Sequence, residues 1–557
     1  MAGFLSKERI TVNADFNRWL VPPAALAVHL SIGMAYGFSV FWKPLGNALI
    51  GADGKPLATC AAGAATFGEK MSGTFKALFA TDCNWTQFDL GWMYTLFFVL
   101  LGCSAALWGG WLERSGPRKA GFVATLCWSG GLLISAYGVY AHQLWMMWLG
   151  SGVIGGVGLG LGYISPVSTL IKWFPDRRGM ATGMAIMGFG GGAMIGSPLA
   201  AKLMSYFATQ GSVGVWQTFV VLAAVYFVFM LGGSLGYRVP PIGWKPANWT
   251  PPATQNNAMI ASRHVHLNNA HKTPQFWLLW LVLCMNVSAC IGIIGAAAPM
   301  LQETFGGALV GQPDIGFAEV KKDEVLTASV AAVGAGFVGL ISLFNIFGRF
   351  AWATSSDKLG RKRTYYIFFI LGAILYCTAT YAAGLKSLAL FVACFCGIAS
   401  MYGGGFATIP AYLADMFGTQ FVGAIHGRLL TAWSTAGILG PVVVNYMHDT
   451  RLEAGVPFSE IYGSIFLVLA GLMAIGFIAN FLVRPVADKY YMTDAELAEE
   501  RKQSHEQAAS ISASKSGSHV QIKTASMFGA IVVWALVLIP ISYGVWSTIQ
   551  KAWALFH

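Results

Sequence analysis

A chain of 557 residues could hold several soluble domains, but 56% hydrophobic against only 11% charged residues excludes them, since ordinary globular chains carry about 25% charge. The formal net charge of +11 would suit a polyanion such as nucleic acid. The placement of the charges points to membrane topology instead.

Apolar runs near 20 residues long recur from end to end, the length needed to cross a hydrocarbon core roughly 30 Å thick. They predict spanning helices at 20–42, 88–111, 120–141, 144–171, 180–206, 215–237, 275–300, 327–354, 364–383, 387–412, 419–446, 460–483 and 527–549. The fold class is an all-α membrane protein. The first run is long enough to span and lacks a small-residue cleavage site, so no cleaved signal peptide is expected. With the N-terminus inside, 24 Lys and Arg fall on the cytoplasmic side and 9 outside, with Lys202 and Arg349 within spans. This asymmetry fixes the expected orientation and removes nucleic acid as a partner.

After the first span, the loop at 43–87 is polar and carries Cys60 and Cys83. In a bacterial host that side is periplasmic and oxidising, so the two are expected to pair. Closing that loop is worth about 3 kcal/mol in the chain-entropy model. The second span ends in Gly109-x-x-x-Glu113-Arg114-x-Gly116-Pro117-Arg118-Lys119, and the eighth in Ala353-x-x-x-Asp357-Lys358-x-Gly360-Arg361-Lys362. Acid, base, glycine and paired bases at matching places point to duplicated halves, the mark of secondary transporters. The expected organisation is a six-helix bundle over 1–237, a cytoplasmic central loop over 238–273 and a second six-helix bundle over 274–484. A cytoplasmic linker over 485–526 and an extra transmembrane helix with its tail over 527–557 follow. That last helix holds nothing ionisable within its span and is given no role in transport.

The fourth span is crowded with glycine from Gly152 to Gly162, and Gly190–Gly192 and Gly403–Gly405 mark two others. No strand precedes them, so close helix approach explains them better than a phosphate loop. There is no HExxH or CxxC and no paired carboxylate inside a span, so neither an enzyme nor a metal or cofactor site is expected. No span offers an obvious buried acid for a cationic drug.

Arg349 stands two turns before Asp357, about 12 Å into the membrane at helical rise. Such a side chain costs roughly 2.5–3.5 kcal/mol unless it faces water or a partner, and its own span has no acid. A guanidinium kept free suits a carboxylate ligand, which its planar fork can grip with two hydrogen bonds. The bland alternatives are snorkelling or a backbone carbonyl. His29 reads equally as a coupled proton carrier or as a hydrogen-bonded structural residue. His426 and Arg428 read as anchors at the inner interface, and Lys202 as an outer snorkelling lysine.

The basic turns resemble the signature loops of the major facilitator superfamily. Ile32-Gly33 through Tyr36 to Leu45, Lys172-Trp173-Phe174-Pro175-Asp176-Arg177-Arg178-Gly179, Gly188–Ala193 and Phe344-Asn345-x-x-Gly348-Arg349 resemble the oxalate/formate antiporter family, related to the monocarboxylate transporters. The likeness spans residues 18–485. It implies two six-helix bundles, a substrate carboxylate on Arg349, and aromatic walls at Tyr36, Tyr163, Phe189 and Tyr402. Trp433 stands where the oxalate carrier has a second cation, a lysine, which favours formate, lactate, pyruvate or acetate over oxalate. Asn345 stands where monocarboxylate transporters have a proton-coupling Asp. Anion exchange or proton symport by a monomer is expected, with a small organic anion and membrane lipid as partners. Alternatives are a carboxylate sensor with a transporter fold and a carrier of another substrate class.

Overall fold

The structure, a computed structural model, describes residues 4–13, 15–51, 56–60, 67–209, 212–241, 244–246, 249, 259–500, 502 and 527–553. Most of the expected linker (503–526), parts of the central loop and the last four residues lie outside the described residues.

Thirteen helices among the described residues are long and apolar enough to cross a membrane: α1 (Arg18–Phe41), α2 (Phe88–Ser115), α3 (Pro117–Tyr140), α4 (Leu144–Trp173), α5 (Arg178–Phe207), α6 (Val215–Gly236), α7 (Pro274–Val310), α8 (Val325–Leu359), α9 (Arg361–Gly384), α10 (Leu388–Phe417), α11 (Val422–Leu452), α12 (Phe458–Leu482) and α13 (Ile531–Gln550). They correspond one to one with the expected spans. Several run further, α7 by ten residues, because a helix already satisfies its own backbone and need not stop where the hydrocarbon does. Two are locally irregular. α1 tightens to a 3-10 helix over Gly33–Phe41 and α4 widens to a π-helix over Trp148–Gly155, departures that often mark functional positions.

Within the first six helices α1 packs on α5 and α6, α2 on α4, and α3 on α4 and α6. Within the next six α7 packs on α11 and α12, α8 on α10, and α9 on α10 and α12. Adding six to every label turns the first scheme into the second, so the fold is two six-helix bundles of one design. Across the halves α5 meets α8 and α2 meets α11, two seams that exchange under the same relation. α13 has no counterpart in either bundle.

The basic turns repeat this symmetry in their backbones. Gly116 and Gly360 have φ of 92° and 85°, a region that side chains rarely enter. Their N–H groups close onto Leu112 O at 2.9 Å and Ser356 O at 3.0 Å.

At the opposite end Cys60 and Cys83 are joined by a disulfide. Asn84 fastens the same loop, accepting from Leu49 N at 2.8 Å and donating to Leu49 O and Leu57 O at 2.9 Å. The His142 ring stacks on Trp85 with centroids 4.4 Å apart and its Nε2 donates to Cys83 O at 2.9 Å.

Burial pushes the His142 imidazole below its usual range, against a smaller upward pull from the Cys83 carbonyl. The unfolded chain therefore takes up this proton first, and the stability the neutral ring contributes is lost progressively as pH falls from about 6.5 toward the ring's lowered folded value. Melting temperatures should drop on acidification, and His142→Asn should flatten that part of the dependence. Thiol alkylation in native membranes should spare Cys60 and Cys83 until reductant is added, and Cys83→Ser should make the 43–87 loop cleavable by protease.

Candidate functional site

Arg349 lies in α8 where α5 presses on one side and α10 on the other. The approach is possible because both neighbours offer glycine. A Cβ at Gly190 would lie 3.0 Å from Arg349 Nε, and one at Gly403 would lie 3.0 Å from Arg349 Cγ. The side chain is completely buried. Its Nε donates to Asn345 Oδ1 at 2.9 Å and its Nη1 to Ile186 O at 3.3 Å, while Nη2 has no partner. The Phe189 and Phe406 rings lie 5.7 and 5.5 Å from Cζ. Among the described residues no carboxylate forms an ion pair with Arg349. The guanidinium is therefore neither snorkelling nor neutralised. Neutral acceptors orient it and leave its charge in place.

The residues expected around it converge. Phe189 forms the hub, with ring centroids of Tyr36, Tyr163 and Trp433 at 5.0, 5.4 and 5.4 Å. Tyr36 Oη and Tyr402 Oη share a hydrogen bond of 3.1 Å across the two bundles. Tyr36 reaches this position because α1 and α5 touch through glycine: a Cβ on Gly33 or Gly192 would collide with the facing backbone. Tyr163 Oη and Trp433 Nε1, like Arg349 Nη2, are buried without a partner. Each such orphan costs roughly 1–3 kcal/mol, and each is a donor that a hydrogen-bond acceptor would satisfy. Phe406 and Phe98, 4.4 and 5.5 Å from the Trp433 ring, complete the wall. Sequence reading passed over both, although Phe406 follows Tyr402 by one helical turn.

His29 stands behind Tyr163, with ring centroids 5.2 Å apart. Its Nδ1 is 2.5 Å from Ala185 O and its Nε2 is 3.0 Å from Tyr163 O. A neutral imidazole donates from one nitrogen only, so a neutral ring satisfies one of these two carbonyls at a time.

Two expectations need correction. His426 is no interface anchor. It is 1% exposed, 6.0 Å from the Tyr163 ring, and neither ring nitrogen has a partner. Gly423 and Gly427 on either side bring α2 against α11. Its place seven residues before Trp433, on one helical face, was the available signal. Arg428 donates to Leu267 O at 2.7 Å. Second, a buried acid does lie in an expected span, Asp89 at the start of α2. Glu303, in the added length of α7, pairs with His448 at 2.9 Å. Lys202 is exposed, with Nζ 3.5 Å from Tyr543 Oη.

The turn residues lie at the end remote from the disulfide. Asp357 accepts from Gly179 N at 2.9 Å and Met180 N at 3.0 Å, an anion on the N-terminus of α5. Arg361 ties it to the end of α10, with Nη2 2.6 Å from Asp357 Oδ1 and Nε 3.1 Å from Asp415 Oδ2. Arg178 of α5 reaches Asp415 Oδ1 at 2.9 Å. The other seam is wired differently. Glu113 binds Lys172 at 2.5 Å and Ser168 at 2.9 Å within its own half, while Gly109 abuts Ala424 and Gly423 abuts Glu113. Arg118 donates to Leu235 O at 2.9 Å. Arg114 and Lys358 are exposed. Asp415 and Arg178 were not legible as partners, because a contact between distant helices leaves no spacing to read.

The sequence matches the Major Facilitator Superfamily over residues 58–441 and again over 291–556. It is 23% identical over 427 residues to the uncharacterized MFS-type transporter YhjX of Escherichia coli, covering 76% of this chain and 87% of that one. It is 24% identical over 415 residues to the oxalate:formate antiporter of Oxalobacter formigenes, covering 73% and 86%. With apicoplast pyruvate carrier 1 of Toxoplasma gondii it shares 26% over 391 residues, covering 61% and 66%. The fold is shared with the crystal structure of the E. coli fucose:proton symporter FucP, at a TM-score of 0.54 and 12% identity over 84% of this chain and all of that one. With thirteen apolar helices in this arrangement, the chain is a multi-pass membrane transporter of the Major Facilitator Superfamily.

Proposed function

We propose that this transporter carries a small carboxylate, a monocarboxylate such as formate, lactate, pyruvate or acetate in preference to oxalate, by anion exchange or proton symport. One observation carries the reading: Arg349 is fully buried, has a free Nη2 and has no acid partner. A carboxylate supplies both the missing acceptor and the missing charge. The names of the oxalate:formate antiporter and the pyruvate carrier agree with this cargo. A dianion asks for two cations in a poorly hydrated site, and Trp433 offers none where a lysine would. Tyr36, Tyr163, Phe189, Tyr402 and Trp433 enclose the rest of the cargo, with the Tyr163 hydroxyl and the Trp433 indole N–H as further donors.

Transport follows by alternating access. In the arrangement described, Asp357 and Asp415 hold α5 against α8 and α10 at the end with the basic turns. Breaking these bonds would open that end while the other closes. The excess of Lys and Arg assigns the basic-turn end to the cytoplasm, which gives an inner-membrane carrier with a cytoplasmic N-terminus and a periplasmic C-terminus, acting as a monomer. In a symport mode His29, set between two carbonyls, is the group to hold the proton.

Uptake of labelled formate, oxalate, lactate and acetate into proteoliposomes, with and without a pH gradient and internal counter-substrate, tests the cargo. Arg349→Lys keeps the charge and loses the fork. At roughly 1.5–3 kcal/mol for a hydrogen bond to a charged group, uptake should fall about 10- to 100-fold, and near-normal uptake rejects the assignment. Asp415→Asn removes the shared partner of Arg178 and Arg361. A cysteine placed at Thr182, whose hydroxyl donates to Ala407 O at 2.6 Å across the closed seam, should then react faster with maleimide.

A further inference from the structure

The thirteenth helix has no counterpart in the duplicated design, yet its sequence carries a continuous stripe. Trp534, Val537, Ile541, Gly544 and Thr548 recur at intervals of three and four, so they share one face. Val537 is 4% and Thr548 6% exposed, while Ile531, Leu536, Ile539 and Trp546 on the other side are 59–67% exposed. The stripe changes partners as it climbs. Near the basic-turn end Trp534 Nε1 donates to Trp19 O at 3.1 Å, and Val537 packs with Leu26 and Ala27 of α1. Ile541 joins that cluster together with Met187 of α5. Higher up, a Cβ on Gly544 would lie 2.8 Å from Met194 and 3.2 Å from Ile195 of α5, whereas Thr548 faces Gly339 of α8. One helix therefore binds the first bundle along one half and crosses to the second bundle in the other half.

The crossing point is where the seam between α5 and α8 changes character. From Gly179 to Gly191 these helices touch directly: a Cβ on Gly183 would lie 2.8 Å from Arg349 O, and one on Gly191 3.9 Å from Ile346. One turn further along, Met194 and Ile195 meet α13, and Gly339 meets α13 as well. The opposite seam, α2 against α11, has no such helix at its side in the duplicated design.

We propose that α13 is a seam wedge. It fills the α5–α8 cleft toward the disulfide end, walls the site off from lipid there, and biases the carrier to the state closed at the basic-turn end. When that end opens, the outer halves of α5 and α8 approach each other and α13 must slip along at least one of them. The proposal needs only the transporter, and stands whether or not the cargo is a carboxylate.

A Cβ at Gly339 would lie 3.9 Å from Thr548 Cβ, a separation that suits a disulfide. Gly339→Cys with Thr548→Cys should therefore cross-link under mild oxidation, seen as a linked peptide by mass spectrometry. Adding Ile195→Cys with Gly544→Cys fastens α13 to both sides. Exchange should survive the first link and be lost with both, returning on reduction. Independently of any cargo, removing residues 503–557 should raise maleimide labelling of a cysteine at Thr182 about tenfold, the size of a typical conformational coupling. Failure of the first pair to cross-link, exchange that persists with both links closed, or unchanged labelling after truncation would each overturn the wedge. If the truncated chain does not fold, the two cross-links decide alone. Absent flux in the parent protein for every carboxylate tried, with labelling still raised by truncation, would sink the cargo reading and leave the wedge standing.

Discussion

Arg349 sits at membrane depth with its charge uncompensated, and much of the surrounding architecture is explained by that state. A guanidinium in such a place costs several kcal/mol unless something shares its protons. Here the Asn345 side chain and the Ile186 carbonyl share two of them, and the aromatic faces of Phe189 and Phe406 add a weak attraction. None of these removes the charge. Replacing Asn345 by an acid would, and the site would then hold its own counter-ion. What makes the arrangement tolerable is space, since glycines at 190 and 403 let two helices close on the arginine stem without collision.

The same economy runs through the contacts between the halves. Lipid gives apolar helices little reason to associate, so close packing through small residues has to do it. Gly183 against the Arg349 backbone, Gly109 against Ala424 and Gly427 against Ala105 place the seams at the basic-turn end in backbone contact. Charges then specify the fit. Asp357 caps the N-terminus of α5 and Asp415 gathers two arginines from different bundles. Such contacts are strong when aligned and vanish with small displacement, which suits an interface that must open. The two seams are wired differently despite the common scheme: one is held by cross-bundle ion pairs and a helix cap, the other by glycine contact with its acid tied inside one half.

Much of the fold was legible because a bilayer imposes a length and an apolarity that composition cannot hide. The thirteen spans, the repeat and the two turn glycines follow from that constraint and from the positive φ that each turn demands. Within the site, Arg349 declared itself by being charged where charge is costly. The aromatic wall did not. Tyr36, Tyr163, Phe189, Tyr402 and Trp433 look like ordinary packing in their own helices and came forward only through resemblance to a known family. Phe406, Phe98 and His426 were missed altogether, and Glu303 was overlooked because its helix outruns the hydrocarbon.

The sequence alone therefore settled the class of molecule, the number of helices, the duplication and the arginine at membrane depth, since each depends on local pattern and the energy of transfer into lipid. Only the tertiary structure decided what surrounds that cation, which acids hold the halves together, and where the last helix lies. These depend on contacts between segments up to several hundred residues apart, and no spacing along one chain encodes which faces of two distant helices will meet.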